Sequence, residues 1–348
     1  MRALVAMSGG VDSAVSALLM KEKCESAGGI MRLRDVLDEE MAEGVRRDIS
    51  DAEAVARRLG MDFHVFDLRE QFLERVIQDF VQEYLNGKTP NPCIVCNRFL
   101  KFDAFYEEGR KLGYDRIATG HYARVEEREG RFVLKRGKDP NKDQSYVLYT
   151  LTQEQLSHTD FPLGDLDKTE VRRIAEENGF INAHKKDSQD ICFVADGKYA
   201  DIIRKVTGSE PVPGDFVDES GKVLGRHKGI IYYTVGQHRG LGLPTEIPLY
   251  VKKIDAKANR IVLCENENLF TEEVEVNGFN WIAGFAAEEG KRGTAKIRYR
   301  HREQPCTILY DSEGEVKIRF DEPQRAPTPG QSCVVYDGDI VLGGGIIR

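Results

Sequence analysis

A chain of 348 residues with 41% hydrophobic and 31% charged content has the composition of a globular protein and the length for two or three domains. No apolar run approaches the ~20 residues of a membrane span. The first catalytic-looking loop begins at residue 8, so neither an anchor nor a signal peptide is expected, and a cytoplasmic location is. The net charge of −8 argues against non-specific wrapping of nucleic acid while leaving room for a local basic surface. Seven irregularly spaced cysteines, an odd number, disfavour a disulfide framework and point to thiol or metal chemistry.

Residues 3–7 read as a short apolar strand that runs into Ser8-Gly9-Gly10-Val11-Asp12-Ser13 and then into an apolar helix-like run, 14–20. Adjacent glycines let backbone N–H groups approach an anion, and the following helix start favours negative charge. No lysine follows the glycines, so this is not the mononucleotide loop of kinases and GTPases. The hexapeptide resembles the pyrophosphate loop of ATP pyrophosphatases, which split ATP between the α and β phosphates.

Further along, Ser50 and Glu53 fit a capping box for a helix over 50–59, and 61–66 reads as the next strand. A helical pattern over 70–84 leads to the turn Gly87-Lys88-Thr89-Pro90-Asn91-Pro92, and 116–119 is a strand ending at Gly120-His121. Asp167 and Glu170 cap a helix over 171–178 closed by Gly179. Strands alternating with helices predict an α/β fold with a doubly wound parallel sheet. The pattern stops near Tyr199. Beyond it, short runs at 230–234, 250–254, 260–264, 294–299, 307–310, 316–320 and 332–336 predict an all-β half, divided near Glu272 into a small β-rich middle domain and a C-terminal β-barrel. The expected domains are 1–198, 199–272 and 273–348.

Cys93 and Cys96 form a Cys-x-x-Cys pair, and Cys192 follows Asp187-Ser188-Gln189-Asp190-Ile191. Cys24, Cys264, Cys306 and Cys333 have no polar motif around them and are expected in packing. No second Cys-x-x-Cys or His pair completes a zinc site.

Taken together, the chain resembles the tRNA-specific 2-thiouridylases of the MnmA type, within the PP-loop, adenine nucleotide alpha hydrolase-like superfamily. The resemblance rests on the residue 7–13 loop, Thr89-Pro90-Asn91-Pro92, Cys96-Asn97, Lys101-Phe102, Ala118-Thr119-Gly120-His121-Tyr122-Ala123, Lys142-Asp143-Gln144-Ser145-Tyr146, Cys192-Phe193, Thr234-Val235-Gly236-Gln237-His238-Arg239-Gly240, Arg298-Tyr299-Arg300 and Gly343-Gly344-Gly345-Ile346-Ile347, in this order. It implies ATP-dependent replacement of the C2 oxygen of the wobble uridine, U34, by sulfur.

By that resemblance ATP is bound by Ala6, Met7, Ser8, Gly9, Gly10, Val11, Asp12, Ser13, Met31 and Gly120, with Mg²⁺ neutralising charge. Cys192 carries sulfur as a persulfide and Cys96 is its nucleophilic partner, the two closing as a transient disulfide. The tRNA anticodon stem-loop is contacted by Asn91, Pro92, Cys93, His121, Lys142, Asp143, Gln144, Arg298, Tyr299 and Gln331. The other partner implied is a sulfur donor, a cysteine desulfurase or sulfur relay protein, and the enzyme is expected as a monomer.

Two departures from the family pattern stand out. Many members carry aspartate at the place of Cys93. The cysteine here makes a set with Cys96 and Cys192 that could ligate a [4Fe-4S] cluster, an alternative sulfur-handling route with no persulfide cycle. Second, Ser26-Ala27-Gly28-Gly29 replaces the expected β-branched second strand, and the rest of 24–49 is highly charged. Two rivals remain on the residues: an amide- or amidino-forming ATP pyrophosphatase with idle cysteines, and a non-catalytic iron–sulfur tRNA-binding protein.

Overall fold

The computed structural model describes residues 1–37, 39–185, 191–194, 198–244, 247–284, 286–310 and 315–348. Its first strand, β1 (Arg2–Ala6), pairs in parallel with β2 (Glu25–Arg32) on one side and β4 (Arg116–Thr119) on the other. With β3 (Phe63–Asp67) and β7 (Thr159–Asp160) they form a five-stranded sheet in the order β3-β2-β1-β4-β7, parallel throughout. Consecutive strands run outward from β1 in one direction, and the chain then returns to β4 on the other side. The carboxyl ends of β1 and β4 therefore flank the crevice where open α/β sheets bind ligands.

Helices cover this sheet: α1 (Val11–Lys23), α2 (Glu39–Leu59), α3 (Arg69–Phe72) continuing through a π-helical stretch into α4 (Gln78–Leu85), and α5 (Pro92–Cys96) continuing through a second π-helical stretch (Asn97–Ala104) into α6 (Phe105–Lys111). Short α7 (Gln153–Ser157) and α8 (Lys168–Glu177) follow. Asp167 and Glu170 form the expected capping box of α8, whose helix thus begins three residues before 171.

Ser50 does not start a helix. It lies exposed inside α2, which begins at Glu39, because Val45, Ala52, Val55, Ala56 and Leu59 make one buried stripe that extends upstream of the apparent cap. The Ser26-Ala27-Gly28-Gly29 segment is a central strand all the same. A Cβ on Gly28 would come within 2.5 Å of Met7 Sδ and 3.1 Å of Phe63 Cδ2, so the glycine permits a packing distance that a β-branched residue would forbid. Gly28→Val should cost about 1–3 kcal/mol through overpacking, read as a lower urea midpoint. An unchanged midpoint would mean that Met7 and Phe63 give way freely.

After α9 (Tyr199–Thr207), a helix where only strands were expected, comes a four-stranded sheet in the order β10-β11-β8-β9 from β8 (Gly214–Val217), β9 (Val223–His227), β10 (Tyr250–Asp255) and β11 (Arg260–Cys264). The expected strand at 230–234 is instead a 3-10 turn, Ile230–Tyr232. Ile231, Tyr233 and Val235 are buried in alternation, which mimics strand patterning, but they pair with no strand among the described residues.

Six strands, β12 (Phe270–Trp281), β13 (Arg292–Lys296), β14 (Gln304–Tyr310), β15 (Val316–Arg325), β16 (Ser332–Asp337) and β17 (Ile340–Ile347), close into a barrel through the β12–β17 pairing. The run expected as a strand to 299 ends at Lys296, and Arg298 and Tyr299 lie in a turn where the His301 N–H reaches the Arg298 carbonyl at 3.1 Å. A hairpin from the first half, β5 (Ala123–Arg128) and β6 (Arg131–Arg136), adds to this sheet through β17. The buried Tyr146 hydroxyl donates to the Ser332 carbonyl at 2.8 Å, bolting the α/β half to the barrel. No helix among the described residues is long and apolar enough to cross a membrane.

Candidate functional site

The loop between β1 and α1 is shaped by a left-handed Gly9 at φ +73° and by the Ser13 hydroxyl, which accepts from Ser8 N–H at 3.1 Å and donates to the Gly10 carbonyl at 2.9 Å. A Cβ on Gly9 would lie 2.7 Å from the Asp48 carbonyl, and one on Gly120 3.1 Å from Asp12 and Ser13 backbone atoms. Helix α2 and the end of β4 therefore clamp the loop from two sides. Ala6, Met7, Met31 and Gly120 all sit at the carboxyl ends of β1, β2 and β4, so the ten expected ATP residues are gathered at one edge of the sheet.

Asp12 is the loop's only carboxylate, and the fold surrounds it with donors. Lys168 Nζ, from the first turn of α8, stands 2.7 and 2.8 Å from its two oxygens, and the Tyr122 hydroxyl donates at 2.7 Å. Lys185 Nζ donates to the Gly9 carbonyl at 3.1 Å and to Asp48 and Asp51 at 2.9 and 2.8 Å, with Asn182 also directed at Gly9. Sequence reading missed Lys168, Lys185 and Asn182. Lys168 is 156 residues from Asp12 in the chain, and no local pattern announces the contact.

The thiols form a second group. The Asn91 side chain accepts from Cys93 N–H at 3.2 Å and caps α5, with Pro92 in its first turn. The three-residue spacing of Cys93 and Cys96 puts both on one flank of that helix. Cys93 is exposed and Cys96 buried. Burial pushes the Cys96 thiol up to about 11, against the pull of Lys101. Cys192 is brought to the same place by its neighbour Phe193, which is buried edge-on between Phe72 and Phe80 at 5.6 and 5.3 Å. Protein packed around the Cys192 sulfur, then the Cys96 and Cys93 thiols, push it up to about 12, although the residue still reaches solvent. The stretch Asp187-Ser188-Gln189-Asp190 lies outside the described residues. Cys264, Cys306 and Cys333 are buried in packing and Cys24 partly so.

The residues expected at tRNA divide. Tyr299 is exposed, packs its ring 5.8 Å from Tyr146, and has its hydroxyl pushed up by burial, Asp143 and Cys93, which puts this barrel residue on the Cys93 side. Gln331 donates to the Thr89 carbonyl at 2.7 Å, and Thr89 Oγ1 donates to Thr234 Oγ1 at 3.4 Å, so the turn ahead of Asn91 is tied to the segments that precede β16 and β10. Arg298 donates to the Arg325 and Ala326 carbonyls, both at 2.8 Å, and Asp143 accepts from Gly137, Ser145 N–H and Ser145 hydroxyl. Gln144 accepts from Tyr122 N–H at 3.0 Å, next to Lys142 in the same turn. His121 is 8% exposed, with Nδ1 2.7 Å from the Thr119 hydroxyl; burial, then Lys101, depress its pKa and keep it neutral.

One carboxylate beside a glycine anion loop fits Mg²⁺, which binds through one or two carboxylates and the substrate's phosphates. The Cys93 and Cys96 thiols both act on the charge of Cys192, yet no group of three or more Cys, His, Asp or Glu among the described residues is arranged to hold a metal ion.

An anion loop at the switch point of a parallel sheet, with Asp12 at the helix start, defines a nucleotide-binding α/β domain of the pyrophosphatase-loop class. The chain belongs to the tRNA-specific 2-thiouridylase MnmA family. Family models match it as tRNA methyl transferase HUP domain over residues 1–196, tRNA methyl transferase PRC-barrel domain over 200–265 and aminomethyltransferase beta-barrel domain over 271–347. It is 48% identical to the tRNA-specific 2-thiouridylase MnmA of Clostridioides difficile, over 100% of this chain and 98% of that one. The Syntrophotalea carbinolica protein of the same name is 46% identical over 99% of this chain and 97% of its own. Among solved structures, the U34-tRNA thiolase NcsA from Methanococcus maripaludis with its [4Fe-4S] cluster aligns at TM-score 0.36 and 16% identity, over 60% of this chain and 65% of that one, a match too loose to bear on this chain's cofactors.

Proposed function

We infer that this chain is an ATP-dependent tRNA-uridine 2-sulfurtransferase acting at U34. Full-length identity to 2-thiouridylases supports the activity. The observation that carries the chemistry is the coupling of Cys93, Cys96 and Cys192, tied to the pyrophosphate loop through Arg34, which acts on Cys192 and pairs with Asp48 against Gly9. Methyl transfer, the word in two of the family-model descriptions, would leave both the loop and the thiols without a role.

The uridine C2 oxygen attacks the α-phosphate of ATP, releasing pyrophosphate and leaving AMP on the oxygen. Ser8 to Ser13 receive the pyrophosphate end, with Asp12 the carboxylate that holds Mg²⁺; the ion, when bound, offsets phosphate charge. The terminal sulfur of a Cys192 persulfide then attacks C2 and AMP leaves with the oxygen. Cys96 thiolate attacks Cys192 Sγ, the bond from Cys192 to the transferred sulfur breaks with its electron pair going to that sulfur, and a Cys96–Cys192 disulfide forms. An external dithiol returns two electrons and reopens it. Sulfur reaches Cys192 from a persulfide-bearing donor protein. Asn91, Pro92, Cys93 and Tyr299 flank the extruded base, consistent with stacking and single-strand recognition in RNA binding.

Anaerobic purification, iron analysis and thiolation of tRNA in one sample test this. Colourless, iron-free protein that forms 2-thiouridine with ATP and a persulfide donor is expected. About four irons per chain, required for activity, would replace the persulfide cycle by a cluster on Cys93, Cys96 and Cys192.

A further inference from the structure

Cys96 stands where α5 passes into the π-helical stretch Asn97–Ala104. A π-helix bonds residue i to i+5, so Lys101 comes round near the flank of Cys96, where regular α-helical winding would turn it well away. Lys101 is half-buried. Two other lysines at the site are committed to carboxylates: Lys168 to Asp12, Lys185 to Asp48 and Asp51. Lys101 has no carboxylate partner among the described residues.

Its charge faces Cys96, Cys192 and His121. The other cation facing Cys192 is Arg34, which is paired with Asp48. His121 is neutral, and Cys93 is the remaining thiol directed at both sulfurs. Among the described residues, Lys101 is therefore the one cation acting on both cysteines that is not shared with a carboxylate.

We propose that Lys101 is the charge partner of the transferred sulfur, its ammonium stabilising the anionic persulfide on Cys192 and the negative charge that passes from Cys96 to the departing sulfur. This rests on the sulfur-carrier reading above. When Cys96 attacks Cys192 Sγ, charge leaves one sulfur and appears on another, and a fixed cation near both lowers the barrier without itself moving. No proton is taken from or given to Lys101.

The test compares Lys101→Gln, Lys101→Met and Lys101→Arg in thiolation of tRNA with a persulfide donor, alongside Cys96→Ser and Cys192→Ser. The neutral variants should lose about tenfold or more in kcat, with KM for ATP and for tRNA within about twofold, and Lys101→Arg should recover most of the loss. A structural lysine would give the same loss in Arg as in Gln, or a fall in melting temperature that tracks the activity; either result overturns the proposal. A loss confined to KM for tRNA assigns Lys101 to RNA phosphate and overturns it too. Should Gln and Met fail to fold, an Arg variant with kcat below about one tenth of the parent is the overturning result, and near-parental kcat the supporting one. If Cys96→Ser and Cys192→Ser still thiolate, the sulfur-carrier reading has failed, whatever Lys101 does.

Discussion

Serine in place of Cys192, or of Cys96, is expected to reduce 2-thiouridine formation by about 1,000-fold or more while tRNA-dependent pyrophosphate release continues. Serine nearly preserves volume, so buried Cys96 and half-held Cys192 lose little packing. What disappears is a sulfur that can carry or accept another sulfur, and residues acting as one unit give losses of this size singly. The double variant should be no worse than either single one. Measuring pyrophosphate and thionucleoside from the same reaction separates the two halves of the cycle. Loss of both products would place the thiols in ATP chemistry or folding instead. Retention of both would favour an amide-forming pyrophosphatase, for which paired cysteines have no task. Cys93→Ser separates the two sulfur routes: a persulfide cycle between Cys192 and Cys96 tolerates it, whereas a three-thiolate cluster does not.

The second large effect lies at the ATP loop. Lys168→Met should lower ATP-dependent pyrophosphate release by about 100-fold. Lys168 now holds both Asp12 oxygens, and its methionine variant leaves that carboxylate with the Tyr122 hydroxyl as its remaining donor among the contacts described. Asp12 must meet Mg²⁺ and phosphates in turn, and an ammonium on the far side of the same carboxylate both orients it and offsets the arriving negative charge. Asp12→Asn should produce a comparable loss, and combining the two should add little, since each acts through the other. Pyrophosphate release at varied ATP and Mg²⁺ is the measurement. If Lys168→Met changes only the melting temperature and leaves kcat and KM for ATP within about twofold, Lys168 is a structural ion pair and no more.

Much of this molecule is legible from local chemistry. The Ser8–Ser13 hexapeptide announces itself because a glycine turn between an apolar strand and a helix has few uses, and β1, β4 and the capping box of α8 follow from short-range pattern. Cys93 and Cys96 are visible as a pair because one helical turn separates them. What local pattern misplaced, it misplaced for physical reasons: Ser50 mimics a cap inside a longer amphipathic helix, and alternating burial at Ile231, Tyr233 and Val235 arises without a strand. The glycines of β2 look wrong for a central strand until Met7 and Phe63 are seen packed against them.

Residue order alone carries the chemical inventory: an anion loop with one carboxylate, two thiols a turn apart with a third far along the chain, and a shift from α/β to β patterning. Which of these groups meet is set by the packing of the folded chain. Lys168 reaches Asp12 across 156 residues, the 123–136 hairpin joins the distant barrel, and Phe193 draws Cys192 to Cys96 by burying itself between Phe72 and Phe80. Such contacts follow from the packing of whole faces and leave no periodicity in the chain. The same holds for Lys101, whose place beside Cys96 depends on a π-helical register that no residue type specifies.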